Sequence, residues 1–250
     1  MSLARLDKIL SHEGFGTRKG IKRLLRLCDV RINGVRVVDS GAPVNPDTDE
    51  ISVDGKIVTP AKNIYIMMNK AGGAVSANKD GLHRTVFDFL DEKYRTAHLQ
   101  EKLHIVGRLD IDTEGLLLFT TDGKLTHKIT SPKSHFPKSY FVRLENAEST
   151  VRQEKITQMF FEGVHIAAED NDGDADCKSA LLVWHSPESC VLTITEGRYH
   201  QVKRMFKAVG NKVEYLKRSS IGALHLDENL APGESRQLTS EELSALLNQA

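Results

Sequence analysis

Two carboxylates, Asp110 and Asp112, stand two residues apart in GRLDIDTEGLLLFTTDG at 107–123, just after Arg108 and just before a run with no polar face. Several kinds of chemistry suit such a pair. The spacing of DIDTEG fits the first half of a calcium loop, D-x-[DN]-x-[DN]-G, with Gly115 at its sixth position. The twelfth position of that loop should supply a bidentate glutamate, and here it is Thr121, in a strand-like run rather than a closing helix. The two could instead be the paired carboxylates of a glycoside hydrolase, which breaks a bond at an anomeric carbon. One ionised carboxylate could act alone as a nucleophile. Asp, Thr and Gly are also turn formers, so a stretch of this kind before a strand can shape a turn with no chemistry at all.

A second group of chemically capable residues lies in EGRYHQVKRMFKAVG at 196–210. Val202, Met205, Phe206 and Val209 recur at helical spacing and make an apolar stripe, which directs Lys203, Arg204 and Lys207 elsewhere. These bases therefore sit beside a strand end, at ITEGRYH. A cation set against a carboxylate favours the ionised form and orients it, opposing the rise in pKa that burial causes.

A third group is electrostatic. In GTRKGIKRLLRLCDV, Ile21, Leu24, Leu25 and Cys28 form the apolar stripe of a helix that Thr17 can cap. Its other side carries Arg18, Lys22 and Arg26 in one i,i+4 row and Lys19 and Arg23 in a second, with no acid between them. Five like charges on one short helix either make a solvated face or meet an anionic partner, and RNA phosphate is the expected partner. Phosphate contacts position a protein without conferring sequence specificity. The formal net charge of the chain is zero, but residues 1–38 hold a local excess of about +6. The compensating acid is concentrated in NPDTDE at 45–50, AEDNDGDAD at 168–176 and TSEEL near the C-terminus.

The elements that must carry these groups follow from pattern. Leu6, Ile9 and Leu10 suggest a short helix before the basic one, and Asn33-Gly34 and Asp54-Gly55 between alternating residues predict two type I′ hairpins. TPAKN at 59–63 reads as a linker, which gives a basic domain over 1–60 and a larger one over 61–250. In the latter, strand-like runs (IYIMM, GLLLFTT, SYFVRLE, ALLVWH, CVLTITE) alternate with helix-like ones (TVFDFL, VRQEKITQMFFEG, HQVKRMFKAVG). Neither regular βαβ alternation nor a glycine-rich phosphate loop is present, so a mixed α+β sheet domain is expected rather than a Rossmann or P-loop enzyme. Three cysteines without C-x-x-C spacing suggest neither a disulfide framework nor a zinc site. With no secretory signal or membrane-length apolar run, a soluble cytoplasmic protein is expected.

The motifs together resemble one family. GRLDIDTEGLLLFTTDG, MMNKAGG, ITSPKSHFPKSY and EGRYHQVKRMFKAVGN, in this order, are similar to the signatures of pseudouridine synthases of the ribosomal small subunit pseudouridine synthase A type. Residues 3–60 resemble the S4-type RNA-binding domain. Ala71 stands where the family usually has proline, and Ser179 is a second departure; both bear on loop stiffness.

The resemblance implies a small S4-like domain of two helices plus hairpins, joined to a mixed or antiparallel sheet domain that isomerises uridine. Asp110 would be the catalytic carboxylate, Lys203 its cationic partner and Tyr140 the aromatic packed on the base. Arg108, Arg198, His200 and Arg204 would contact substrate, with Arg204 the less expected partner of the carboxylate and His200 also readable as a structural histidine. Asp112 would be a turn residue. Arg18, Lys19, Lys22, Arg23 and Arg26 would bind RNA. The reaction needs no cofactor and no metal. The implied substrate is 16S ribosomal RNA, at the position the family numbers 516, free or in a partly assembled small subunit, with a monomeric enzyme; the rivals are a 23S enzyme, a glycoside hydrolase and a non-catalytic ribosome-binding factor.

Overall fold

The structure, a computed structural model, describes residues 3–46, 48–58, 63–96, 99, 101–131, 133–170 and 172–249. Two compact units divide the chain, Met1–Lys62 and Asn63–Ala250. The expected linker lies, except for Asn63, outside the described residues.

In the first unit, α1 (Leu6–His12) packs on α2 (Arg18–Leu27), whose N-terminus is capped by the Thr17 hydroxyl accepting from Gly20 N at 3.1 Å. Ile21 and Leu25 of α2 are buried with Leu6, Leu10, Val30 and Ile51. Strands β1 (Val30–Ile32), β2 (Val35–Arg36), β3 (Ile51–Val53) and β4 (Lys56–Val58) form one antiparallel sheet in the order β2-β1-β3-β4. Both of its hairpins turn on residue pairs with positive φ, Asn33-Gly34 and Asp54-Gly55, as type I′ geometry requires. Arg18, Lys19, Lys22, Arg23 and Arg26 are all exposed on α2, and none forms an ion pair among the described residues.

The second unit is built on one mixed sheet. Its main path runs β8 (Leu181–Trp184), β9 (Ser189–Ile194), β7 (Lys138–Leu144), β10 (Val213–Ile221), β6 (Glu114–Thr120), β5 (Tyr65–Lys70), β11 (Ser235–Gln237). Along that path only β10 and β6 pair in parallel, through Lys217 with Glu114 and Arg218 with Gly115. Both faces of β6 are covered: Leu117 and Phe119 enter the core with α4 (Thr150–Glu162) and α5 (Gln201–Ala208), while Leu116 and Leu118 pack with residues of α3 (Gly123–Thr130) and α6 (Ser240–Gln249). A central strand buried on both sides needs no polar face, which explains the run that follows the two carboxylates.

Gly115 belongs to this strand, not to a calcium-loop turn. At φ +96° its α-carbon abuts β10 so closely that a Cβ would strike the Arg218 carbonyl oxygen. TVFDFL, read as helix, forms only a single 3₁₀ turn over Val86–Phe89. Strand β10 has no counterpart among the strand-like runs. Its sequence, VEYLKRSSI, carries charge in the middle of a strand buried at the sheet centre. No helix among the described residues is long and apolar enough to cross a membrane.

Candidate active site

Asp110 sits in the loop immediately before β6, and the neighbouring segment after β5 holds that loop in place. Lys70, fully buried at the end of β5, donates from Nζ to three backbone carbonyls: Thr113 at 2.8 Å, Ala71 at 3.1 Å and Ile111 at 3.2 Å. Gly73 N donates to Ile111 O at 2.7 Å. The Ser76 hydroxyl donates to Leu109 O at 2.7 Å and accepts from Leu109 N at 3.1 Å. Asp110 is thus fixed on both sides by backbone contacts, while its own side chain stays about 28% exposed. Burial pushes the Lys70 amine down to about 8, against the opposing charges of Asp112, Asp110 and Glu114.

The partner of Asp110 comes from the opposite side of the site, on the first turn of α5. Lys203 Nζ lies 3.2 Å from Asp110 Oδ2 and 2.6 Å from Asp112 Oδ1. Asp112, expected only to shape a turn, therefore shares the ammonium and makes the shorter contact. Burial raises its carboxyl, but the hydrogen bond and charge of Lys203 outweigh that and hold it below its ordinary value.

His200 begins α5 in the left-handed region, at φ +47°, with its ring between two carboxylates. Nδ1 is 2.7 Å from Glu169 Oε1 and Nε2 is 3.8 Å from Asp110 Oδ1. Tyr199 stacks on the same ring, with centroids 3.8 Å apart, and its hydroxyl donates to Asp170 Oδ2 at 2.9 Å. Glu169 and Asp170, from the acidic stretch that compensates the basic helix in the overall charge, are thus docked on the GRYH segment.

Arg204 belongs to that docking and not to the substrate surface expected for it. Its side chain is 2% exposed and pairs with Asp172. The guanidinium also donates to the carbonyls of Ala167 and Gly173, each at 2.7 Å, and of Tyr199 at 3.0 Å. A planar donor fork of this kind suits the closing of a loop over several carbonyls.

A cavity of about 750 Å³ opens beside Asp110, within the size range of small-ligand sites. Tyr140 of β7, itself buried, lines it, with Leu216 and Ile194 from the neighbouring strands. The Tyr140 hydroxyl has no hydrogen-bond partner among the described residues. Arg108 is exposed on the rim, and Arg198 lies there with Nε 3.7 Å from Glu196 Oε2. Asp110, Tyr140, Arg108, Arg198 and His200 thus all border one cavity, and Lys203 reaches it through Asp110. Lys70, Ser76, Glu169, Lys138 and Arg218 also build this region, and sequence pattern gives none of them a role. The available signals were a lysine closing an apolar strand and an arginine inside a strand that pattern missed.

Comparison with known proteins identifies the family. Residues 64–208 match the family model described as RNA pseudouridylate synthase. The chain is 44% identical to an uncharacterised RNA pseudouridine synthase of Bacillus subtilis, over 97% of this chain and 98% of that one. It is 44% identical to the ribosomal small subunit pseudouridine synthase A of Yersinia pestis, over 97% of each, and 42% identical to that of Escherichia coli, over 97% of this chain and all of the other. A crystal structure of a pseudouridylate synthase superposes with a TM-score of 0.65 at 39% identity, covering 97% of this chain and 99% of its own. With a family model spanning the carboxylate loop, the aromatic strand and the cationic helix, and relatives matched from end to end, the chain belongs to the RNA pseudouridylate synthases, isomerases that convert uridine in RNA to pseudouridine.

Proposed function

We propose that this protein isomerises one uridine of 16S ribosomal RNA, at the position the family numbers 516, with Asp110 as the carboxylate that acts on the nucleotide. The observation that carries this reading is the placement of Asp110: against the Lys203 ammonium at 3.2 Å, and at the wall of a cavity large enough for a nucleoside. The C1′–N1 bond of the uridine breaks, the uracil turns, and a C1′–C5 bond forms; C5 loses a proton and N1 gains one. Nothing is oxidised and no group is added, so the chemistry calls for no cofactor. An ionised carboxylate serves either as a nucleophile at C6 or C1′ or as a base toward the sugar. The Lys203 ammonium, 3.2 Å from Oδ2, orients the Asp110 carboxylate for any of these routes.

The target cannot be reached within a stack, so its nucleotide is taken out of the RNA and into the cavity. Tyr140 offers a face for the base. Arg108 and Arg198, exposed on the rim, meet the phosphates on either side. The first unit, with its two helices, type I′ hairpins and five exposed bases on α2, acts as an S4-like module that grips phosphate and shape rather than sequence. The names borne by the Yersinia and Escherichia relatives support the small subunit as the target. A module that reads phosphate and shape makes a partly assembled particle a better substrate than free RNA.

The test is a strain lacking this protein, with 16S and 23S RNA mapped by a pseudouridine-specific reagent. Loss of one 16S site is expected. Loss of a 23S site with every 16S site intact would move the substrate to the large subunit and leave the role of Asp110 standing.

A further inference from the structure

Arg218 is among the largest fully buried side chains of the protein, and it has no carboxylate partner among the described residues. Its Nε donates to Leu116 O at 2.8 Å, while its Nη2 has no hydrogen-bond partner among the described residues. A buried guanidinium lacking both a counter-ion and a full set of acceptors is costly, and a structural tie between β10 and β6 would need only an uncharged donor. The residue lies on the strand register directly opposite Tyr140 and lines the same cavity. Lys138, two residues before Tyr140 on β7, also lines that wall, and among the described residues its Nζ donates only to the Phe136 carbonyl, at 3.1 Å. Burial, aided by the charge of Arg218, pushes the Lys138 amine down to about 8. Two cations are therefore placed around the tyrosine, on the inner wall, away from the rim where the phosphates would run.

We propose that Arg218, with Lys138 beside it, is the binding site for the carbonyl oxygens of the target uracil, and that it holds the negative charge reaching O2 or O4 as the C1′–N1 bond breaks. The proposal rests on the reading of this cavity as the uridine site. When that bond breaks, its electron pair stays on the uracil ring and is delocalised onto the two oxygens. Forming the C1′–C5 bond draws the pair back through C5, whose proton then leaves while N1 takes one up. A preorganised donor aimed at such an oxygen strengthens its contact as charge develops, and so lowers the barrier without tightening ground-state binding. The same stabilisation serves whichever atom Asp110 engages.

The test uses the intact protein and assembled small-subunit particles whose RNA carries uridine, 2-thiouridine or 4-thiouridine at the target; sulfur is a poorer acceptor than oxygen. The wild-type rate on unmodified RNA is the control, and its absence would mean that the substrate assignment has failed, not Arg218. Arg218→Met is expected to lower the single-turnover rate about 10²–10³-fold, with RNA affinity changed by less than about threefold. One of the two thio substitutions should slow the wild type while leaving Arg218→Met no slower than it is on uridine. Equal slowing of both proteins by each thio base would overturn the proposal. So would a phosphate-contact signature in Arg218→Met, namely weakened binding and a flatter salt slope with the bound-state rate intact. If Arg218→Met does not fold, Arg218→Lys and Lys138→Met carry the same cycle: non-additivity with one thio base supports the assignment and additivity with both overturns it.

Discussion

At Lys203 a single ammonium serves two carboxylates of unequal exposure. Asp112 makes the shorter contact, but its side chain is 66% exposed against 28% for Asp110, so solvent screens it more. Asp112→Asn should therefore lower kcat by less than about tenfold, whereas Lys203→Met should lower it by about 10² or more at unchanged RNA affinity. Single-turnover rates beside a filter-binding isotherm check both, and equal losses would show that Asp112 takes part in the chemistry. The likeness of their motifs to the family's signatures singled out Asp110, Tyr140 and Lys203, and the fold brings the three to one site. The positions of Arg204 and Glu169 were not legible. An arginine beside a helix stripe looks the same whether it faces solvent or closes a loop over carbonyls, and only the fold brings Asp172 and the carbonyls of Ala167 and Gly173 to it.

The carboxylate loop is held by elements on both sides of β6, and two positions in those elements carry most of the constraint. Gly115→Ala forces a side chain into the Arg218 backbone at positive φ, and a destabilisation of about 2–4 kcal/mol in urea unfolding is expected; a value under about 0.5 kcal/mol would mean that β6 and β10 can part without cost. Lys70 makes a prediction about pH. Its amine sits near 8 in the folded protein, against about 10.4 in an unfolded chain. Between those values the unfolded state binds more protons, so the contribution of Lys70 to stability rises with pH from about 8 to 10 and is at its least favourable below about pH 8. Unfolding of wild type and Lys70→Met at pH 7, 8.5 and 9.5 should show the difference shifting in favour of the wild type as pH rises, and parallel curves would contradict the burial cost. Period-2 and period-3.6 patterning made most of these elements readable, and the dipeptides Asn33-Gly34 and Asp54-Gly55 marked their turns. Strand β10 escaped because Lys217 and Arg218 interrupt its apolar pattern, and Arg218 lines the cavity.

Over the whole molecule, charge is divided between the exposed cationic helix α2 and the acidic 168–176 stretch docked on the site. Replacing Arg18, Lys22 and Arg26 by Gln in the full-length protein should weaken RNA binding and flatten the slope of log affinity on log salt by about 0.7–0.9 for each phosphate no longer neutralised. The turnover of bound RNA should hold. An unchanged slope would make α2 a solvated face and leave RNA capture to the second unit. The most direct measurement of the central claim is tritium release from C5-labelled uridine in small-subunit RNA, by wild type and Asp110→Asn, at saturating protein. The wild type should release the label of one uridine per RNA, and Asp110→Asn should release none above background while binding the RNA within a few-fold. Release by Asp110→Asn at a rate near that of the wild type would place the chemistry on another residue and contradict a catalytic role for the carboxylate at the wall of the cavity.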